Sequence, residues 1–195
     1  MPEIKRDYIC YIGRPSYQKN TLFLVDVIYG VCKSHPEAHF KLLGVGYYSP
    51  DLDCLQQKIK RLNLTEHIDL LPWLSHEETL EYVSNSLFYL TVARYEGLPL
   101  AVIEAMSLGK AVVASSVTGN VDCVQDGING RLLPLEVSAF VDAICDLLDN
   151  PSQCALFGNN SRRLFEESFL ISNRIHELER IYENEGKKRK KKLRL

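Results

Sequence analysis

The feature that most restricts the fold is an alternation of short apolar runs with longer stretches of helical periodicity. "DYICYIG" (7–13) has strand length and closes on glycine, and residues 19–34 then place apolar side chains at helical spacing. "HFKLLGVG" (39–46) reads as a second strand. Residues 51–64 form an amphipathic helix with Leu52, Leu55, Ile59 and Leu62 on one stripe, and "HIDLLPW" (67–73) returns to strand. Ser75, with Glu78 three residues on, forms a capping box for the next helix. "LFYLTVA" (87–93), a helix from Pro99, and "AVVASS" (111–116) come next. A Gly/Asn/Asp-rich loop, "RLLP", and helical segments to about residue 185 complete the series.

Strands alternating with helices at this spacing make βαβ units, whose crossovers are right-handed. The expected fold is α/β: a single Rossmann-like, doubly wound parallel sheet with C-terminal helices. One lobe is expected over residues 1–186, with 187–195 as a basic tail. Ligands of such sheets bind beyond the carboxyl ends of the strands. That directs attention to residues 13–20, to 44–48, and to the loops after 87–93 and after 111–116.

Charge and cysteine usage exclude several classes. Of the 23 basic residues, seven lie between Lys187 and Leu195, which leaves 16 against 25 acids in the rest of the chain, a net of −9. An acidic body is not a nucleic-acid-binding surface. The tail is either solvated or drawn to anionic lipid. Six cysteines never form C-x-x-C, so plain buried thiols in a reduced, cytoplasmic protein are expected. There is no apolar run of membrane-spanning length. "GVG" at 44–46 lacks the rest of a dinucleotide fingerprint, and no P-loop is present. Both observations weigh against a Rossmann-type redox or regulatory domain.

The chemistry concentrates in "YEGLPLAVIEAMSLGK" (95–110). Pro99 suits the first helical position and Gly109 the position past the end. The helix would then open right after a strand-end loop with free amides at Leu100 and Ala101, an end that attracts phosphate. Glu104, one turn in, leans back toward that end. It fits a pair of ligand hydroxyls or, equally, a protein donor. Glu96 could accept hydroxyls or lie on a solvated loop. In "GRPSYQK", Arg14 offers a planar fork and Lys19 a point charge for phosphate oxygens. The loop around Gly119 and Asn120 is on the ligand side or a plain connector. Trp73 is weighed as a border for a base, with core packing favoured.

"YIGRPSYQK", "YEGLPLAVIEAMSLGKAVVAS" and "VTGNVDCVQDGINGRLLP", in this order and spacing, resemble the family-4 retaining glycosyltransferases of the GT-B fold, over their C-terminal, nucleotide-sugar-binding domain. The resemblance covers roughly residues 7–185. It implies that Arg14 and Lys19 bind the donor diphosphate, Glu104 the ribose and Glu96 the donor sugar. Backbone at Gly97, Leu98, Leu100 and Ala101 would approach sugar and phosphate, and Gly119 and Asn120 would border the same site. The chain has Val92–Ala93 where the family often has Pro-Ser, and Thr118-Gly119-Asn120-Val121-Asp122 where it has Gly-Gly-x-x-Glu.

The resemblance further implies sugar transfer from a nucleoside-diphosphate sugar, UDP favoured over GDP, to a glycan or lipid-linked acceptor, without metal or other cofactor. Polysaccharide or glycolipid synthesis is the expected setting, with the basic tail touching the inner membrane face. The first strand starts within about ten residues of Met1, so the expectation is either that the chain is a fragment or that another chain supplies the N-terminal lobe. The alternative is a non-catalytic nucleotide-sugar-binding module or remnant.

Overall fold

The structure is a computed structural model that describes residues 7–46, 48–172, 175 and 179–182. The basic tail, and the end of the helical region expected to reach residue 185, lie outside these residues. The elements begin β1 (Tyr8–Ile12), α1 (Thr21–Ser34), β2 (His39–Leu43), α2 (Leu52–Arg61), β3 (Ile68–Leu71) and α3 (His76–Ser84). They continue β4 (Tyr89–Thr91), α4 (Leu100–Ser107), β5 (Val112–Ser115), α5 (Asn120–Cys123), β6 (Gly130–Leu133), α6 (Val137–Asp149) and α7 (Pro151–Ser168).

The six strands form one parallel sheet in the order β3-β2-β1-β4-β5-β6. The strand order reverses between β1 and β4, and a doubly wound sheet opens its ligand crevice at that reversal. The expected α/β Rossmann-like sheet is therefore present. β1, β4 and β5 are buried on both faces, which explains why they read as unbroken apolar runs rather than alternating ones. On one face Leu24, Ile28, Leu55, Phe140 and Ile144 of α1, α2 and α6 pack together, with Phe23 and Phe140 edge-on at 5.7 Å. On the other, Val83, Val102, Ala105 and Met106 of α3 and α4 close the core. Each such aliphatic side chain contributes about 1.5–3 kcal/mol on burial.

Local signals set most boundaries. Ser75 and Glu78 complete the expected capping box in both directions, at 3.2 and 2.8 Å. The connector after β5 also holds a single helical turn, α5, that no periodicity in four residues could announce. Two expectations are corrected. Trp73 is 67% exposed instead of packed in the core, because β3 ends at Leu71 and the chain has left the sheet before Trp73. Cys54 is exposed on α2, whereas Cys10 and Cys123 are buried; all six thiols are free.

Candidate functional site

Two loops meet at the strand reversal. Gly13, after β1, donates its N–H to the Leu43 carbonyl at 2.9 Å, so the chain leaves the sheet in a fixed direction. The loop then folds on itself. The Asn20 N–H donates to the Ser16 carbonyl at 2.9 Å, and the Lys19 N–H to Ser16 Oγ at 3.3 Å. The buried Tyr11 hydroxyl donates to the Lys19 carbonyl at 3.2 Å. Burial, and then the nearby Glu96 charge, push the Tyr11 phenol well above its ordinary pKa, so it stays a neutral donor.

The loop after β4 is stitched to this one. The Arg94 N–H donates to the Gln18 carbonyl at 2.8 Å, Gln18 Nε2 to the Tyr95 carbonyl at 3.3 Å, and the Arg94 guanidinium lies 4.5 Å from the Tyr17 ring centre. The stitching brings Lys19 Nζ to 2.6 Å from Glu96 Oε1, where the acid side chain is only 10% exposed. Glu96 is thus a sheltered partner of the loop lysine, not an acid on a solvated loop. The Glu96 N–H, in turn, donates to the Thr118 carbonyl at 3.3 Å.

Gly119 fixes that last contact. Its φ of 85° and ψ of −52° suit glycine, and a Cβ there would fall 2.5 Å from the Gly97 carbonyl oxygen and 3.0 Å from that of Glu96. The third strand-end loop therefore braces the acid loop backbone to backbone. Asn120 is fully buried and turned inward: its Nδ2 donates to the Ser115 carbonyl at 3.0 Å, and Ser115 Oγ donates to the Ala93 carbonyl at 2.6 Å. Its side chain ties the ends of β4 and β5 together and does not face the crevice.

Helix α4 begins beside the ion pair. Pro99 is the N-cap (φ −79°, ψ 80°) and the helix starts one residue later than its sequence suggests. The Leu100 N–H turns back to the Leu98 carbonyl at 2.9 Å, so it is not free. Val102 and Ile103 both donate to the Pro99 carbonyl, at 2.9 and 3.1 Å, and the Ala101 amide has no backbone acceptor among the described residues. Of the two amides expected to be free, only that of Ala101 lacks a backbone partner. Gly97 is exposed with open space around its Cα.

A cleft of about 220 Å³ gathers Lys19, Glu96, Leu98, Leu100 and Ala101, with Tyr89 and Thr91 of β4 beneath. Thr91 and Tyr89 are hidden in an apolar strand; the single hydroxyl-bearing β-branched residue in "LFYLTVA" is the available signal. Arg14 is exposed on the loop after β1, is not in the cleft wall, and pairs with no acid among the described residues. Glu104 lies one turn beyond Leu100 and Ala101, on the same helix face. It is not sunk in the core: its side chain is 32% exposed, 3.7 Å from Nδ1 of the largely exposed His76 at the start of α3. A larger hollow of about 600 Å³ opens at the amino ends of the strands, but His39, Lys41 and Asp69 on its wall already pair at 3.0 and 3.8 Å. The carboxyl-end cleft is the ligand side.

A parallel sheet with this strand order, opening at its reversal onto a lysine, an acid and a helix start, defines a doubly wound, Rossmann-like α/β domain. Residues 3–164 match the family described as Glycosyl transferases group 1, and the chain belongs to that family. It is 25% identical over 182 residues to alpha-D-kanosaminyltransferase of Streptomyces kanamyceticus, covering 93% of this chain and 46% of that protein. It is also 25% identical over 174 residues to UDP-Gal:alpha-D-GlcNAc-diphosphoundecaprenol alpha-1,3-galactosyltransferase of Escherichia coli, covering 88% and 44%. Among solved structures, sucrose-phosphate synthase of Thermosynechococcus elongatus superposes with a TM-score of 0.84 at 22% identity over 93% of this chain and 46% of that one. HepE of Anabaena, solved with UDP and glucose, gives 0.82 at 19% over 93% and 49%. The chain thus spans about half the length of the relatives it matches. No helix among the described residues is long and apolar enough to cross a membrane.

Proposed function

We propose that this chain is the donor-binding lobe of a retaining glycosyltransferase of family 4, and that its cleft holds a nucleoside-diphosphate sugar. The observation that carries the reading is the Lys19–Glu96 pair at 2.6 Å, set at the strand reversal beside the Ala101 amide. Lys19, the Ala101 amide and Arg14 would meet the diphosphate. In the transfer step the bond from the anomeric carbon to the diphosphate breaks, and its electron pair leaves with the phosphate. The acceptor oxygen bonds on the same face and its proton departs with the released diphosphate. Fixed positive groups that stabilise the departing charge lower that barrier. No metal is needed in this scheme.

Glu96 would then exchange its lysine partner for sugar hydroxyls, and Glu104 would accept from the ribose. Gly97 and Leu98 present backbone to the sugar. Gly119 and Asn120 act from behind, by holding that backbone in place. A uridine nucleotide is favoured over a guanosine one; the relatives' names include a UDP-galactose-dependent enzyme and the neighbours a UDP complex. The acceptor is a glycan or lipid-linked hydroxyl, an N-terminal lobe completes the active site, and the basic run from Lys187 to Leu195 brings the protein to an anionic, cytoplasmic membrane face. Calorimetric titration of the purified chain with UDP-, GDP- and ADP-sugars tests the reading. Saturable binding of one, lost in Lys19→Ala, supports it; no binding by any of them refutes it.

A further inference from the structure

In the Lys19–Glu96 pair, the cation that would meet phosphate is held by the acid that would meet sugar. The acid is the more sheltered end, with its side chain 10% exposed against 26% for the lysine. Lys19 is the only cation within ion-pair distance of Glu96 among the described residues. The Tyr11 hydroxyl gives its one proton to the Lys19 carbonyl and has none for the acid. A carboxylate so placed is costly to leave without a partner. Both backbones are also fixed. The Lys19 N–H and carbonyl are held by Ser16 Oγ and Tyr11, and the Glu96 N–H by the Thr118 carbonyl. What can change is the side chains, above all the flexible four-carbon stem of the lysine, whose Cδ passes 3.2 Å from where a Cβ at Gly13 would lie.

A ligand that takes Lys19 for its phosphates therefore strands Glu96, unless the same ligand brings hydroxyls to replace the ammonium. We infer that the Lys19–Glu96 pair is a latch by which the cleft discriminates the intact nucleotide sugar from the nucleoside diphosphate left after transfer; this rests on reading the cleft as a nucleotide-sugar site. The diphosphate alone must open the latch and leave the acid without a partner. The nucleotide sugar opens it and satisfies both ends, so the phosphate and sugar parts of one ligand reinforce each other. Apparent affinity scales with the fraction of molecules in the competent state, so a closed latch lowers the affinity for the diphosphate. In turnover this favours replacement of the spent nucleotide by fresh donor.

The test compares the full chain with Glu96→Gln and Glu96→Asp. Each is titrated calorimetrically with UDP, UDP-glucose, UDP-galactose and UDP-N-acetylglucosamine. Glu96→Gln keeps the shape of the side chain and removes its charge. Glu96→Asp keeps the charge but withdraws it by one carbon–carbon bond, roughly 1.5 Å, enough to break a contact of 2.6 Å. Both variants should bind UDP more tightly than the parent by roughly 5-fold or more, the lower end of ordinary coupling, since Lys19 is partly solvated. The UDP-sugar that the parent holds tightest should lose its margin over UDP in both variants. Tighter UDP binding in Glu96→Gln but not in Glu96→Asp overturns the latch, because repulsion between carboxylate and phosphate then suffices. UDP affinity unchanged or lowered in both variants also overturns it, and means that the ammonium bridges carboxylate and phosphate at once. Either of these results leaves the nucleotide cleft standing. A parent chain that binds none of the four ligands overturns the cleft and the latch together.

Discussion

Replacing Gly119 by alanine asks whether the acid loop is held by backbone contact from the neighbouring strand end. At φ 85° and ψ −52°, an L-residue is in a sparsely populated region, at a cost of order 1–3 kcal/mol. The new methyl would also sit 2.5 Å from the Gly97 carbonyl oxygen, backbone that cannot swing aside as a side chain would. Parting the loops stretches the Glu96 N–H to Thr118 hydrogen bond, now 3.3 Å, worth about 1 kcal/mol. The sum is about 2–4 kcal/mol. In a domain of this size that lowers the melting temperature by roughly 4–16 °C. Two glycines calibrate the measurement. Gly127 has a φ of 71° but open space around a Cβ, so its alanine variant should lose only the conformational cost, about 1–2 kcal/mol. Gly97 has open space and no left-handed φ, and its alanine variant should melt close to the parent. Thermal unfolding of the three variants, monitored by circular dichroism, gives the order. UDP titration should show weaker binding in Gly119→Ala, because Glu96 and its Lys19 partner shift with the loop. If Gly119→Ala melts no lower than Gly127→Ala, the contact is soft and the bracing argument fails.

The same geometry sets other outcomes. Glu104→Ala should weaken UDP binding by about 1–3 kcal/mol by leaving ribose hydroxyls unpaired; unchanged affinity in a folded variant, by calorimetry, removes Glu104 from the site. Arg14→Ala combined with Lys19→Ala should cost UDP more than uridine, and equal losses would mean that these cations do not meet phosphate. At alkaline pH the protein should lose stability. Burial raises the Cys10 thiol from 9.0 to about 12, and burial raises Cys32 and Cys123 to about 11. The unfolded thiols release protons first, so the folded state binds more protons above pH 9.0, and stability falls as pH rises toward about 12. By pH 10 the contribution lost from Cys10 is about 1 kcal/mol. Denaturant midpoints that stay flat from neutral pH to about pH 11 would contradict this assignment.

How far the sequence leads can be judged residue by residue. Lys19 and Glu96 are both legible as strand-end candidates, yet their pairing is not, since 77 positions separate them. Trp73 misleads because an apolar run ending in proline and tryptophan looks like a strand that continues inward. Its exposure depends on where β3 stops and on the missing side chain at Gly46, where a Cβ would fall 1.9 Å from Trp73 Cδ1. Asn120 has the character of a loop residue facing ligand; its burial depends on Ser115 and Ala93 at the ends of two different strands. Leu100 and Ala101 look equivalent at a helix start until the N-cap falls at Pro99, one residue later than its propensity suggests.

The alternation of apolar runs and helical periods, with glycine and polar residues at their ends, determines by local physics that this chain builds a parallel sheet with helices on both faces. Periodicity is enough for that, because each element buries the face its own sequence makes apolar. Which loop cations meet which acids, and which aromatic ring stays open to solvent, was decided only when β1 and β4 became neighbours and brought distant loops into contact. Those contacts depend on backbone approach at Gly119 and Gly46, a property that no repeat of side-chain character along the chain encodes.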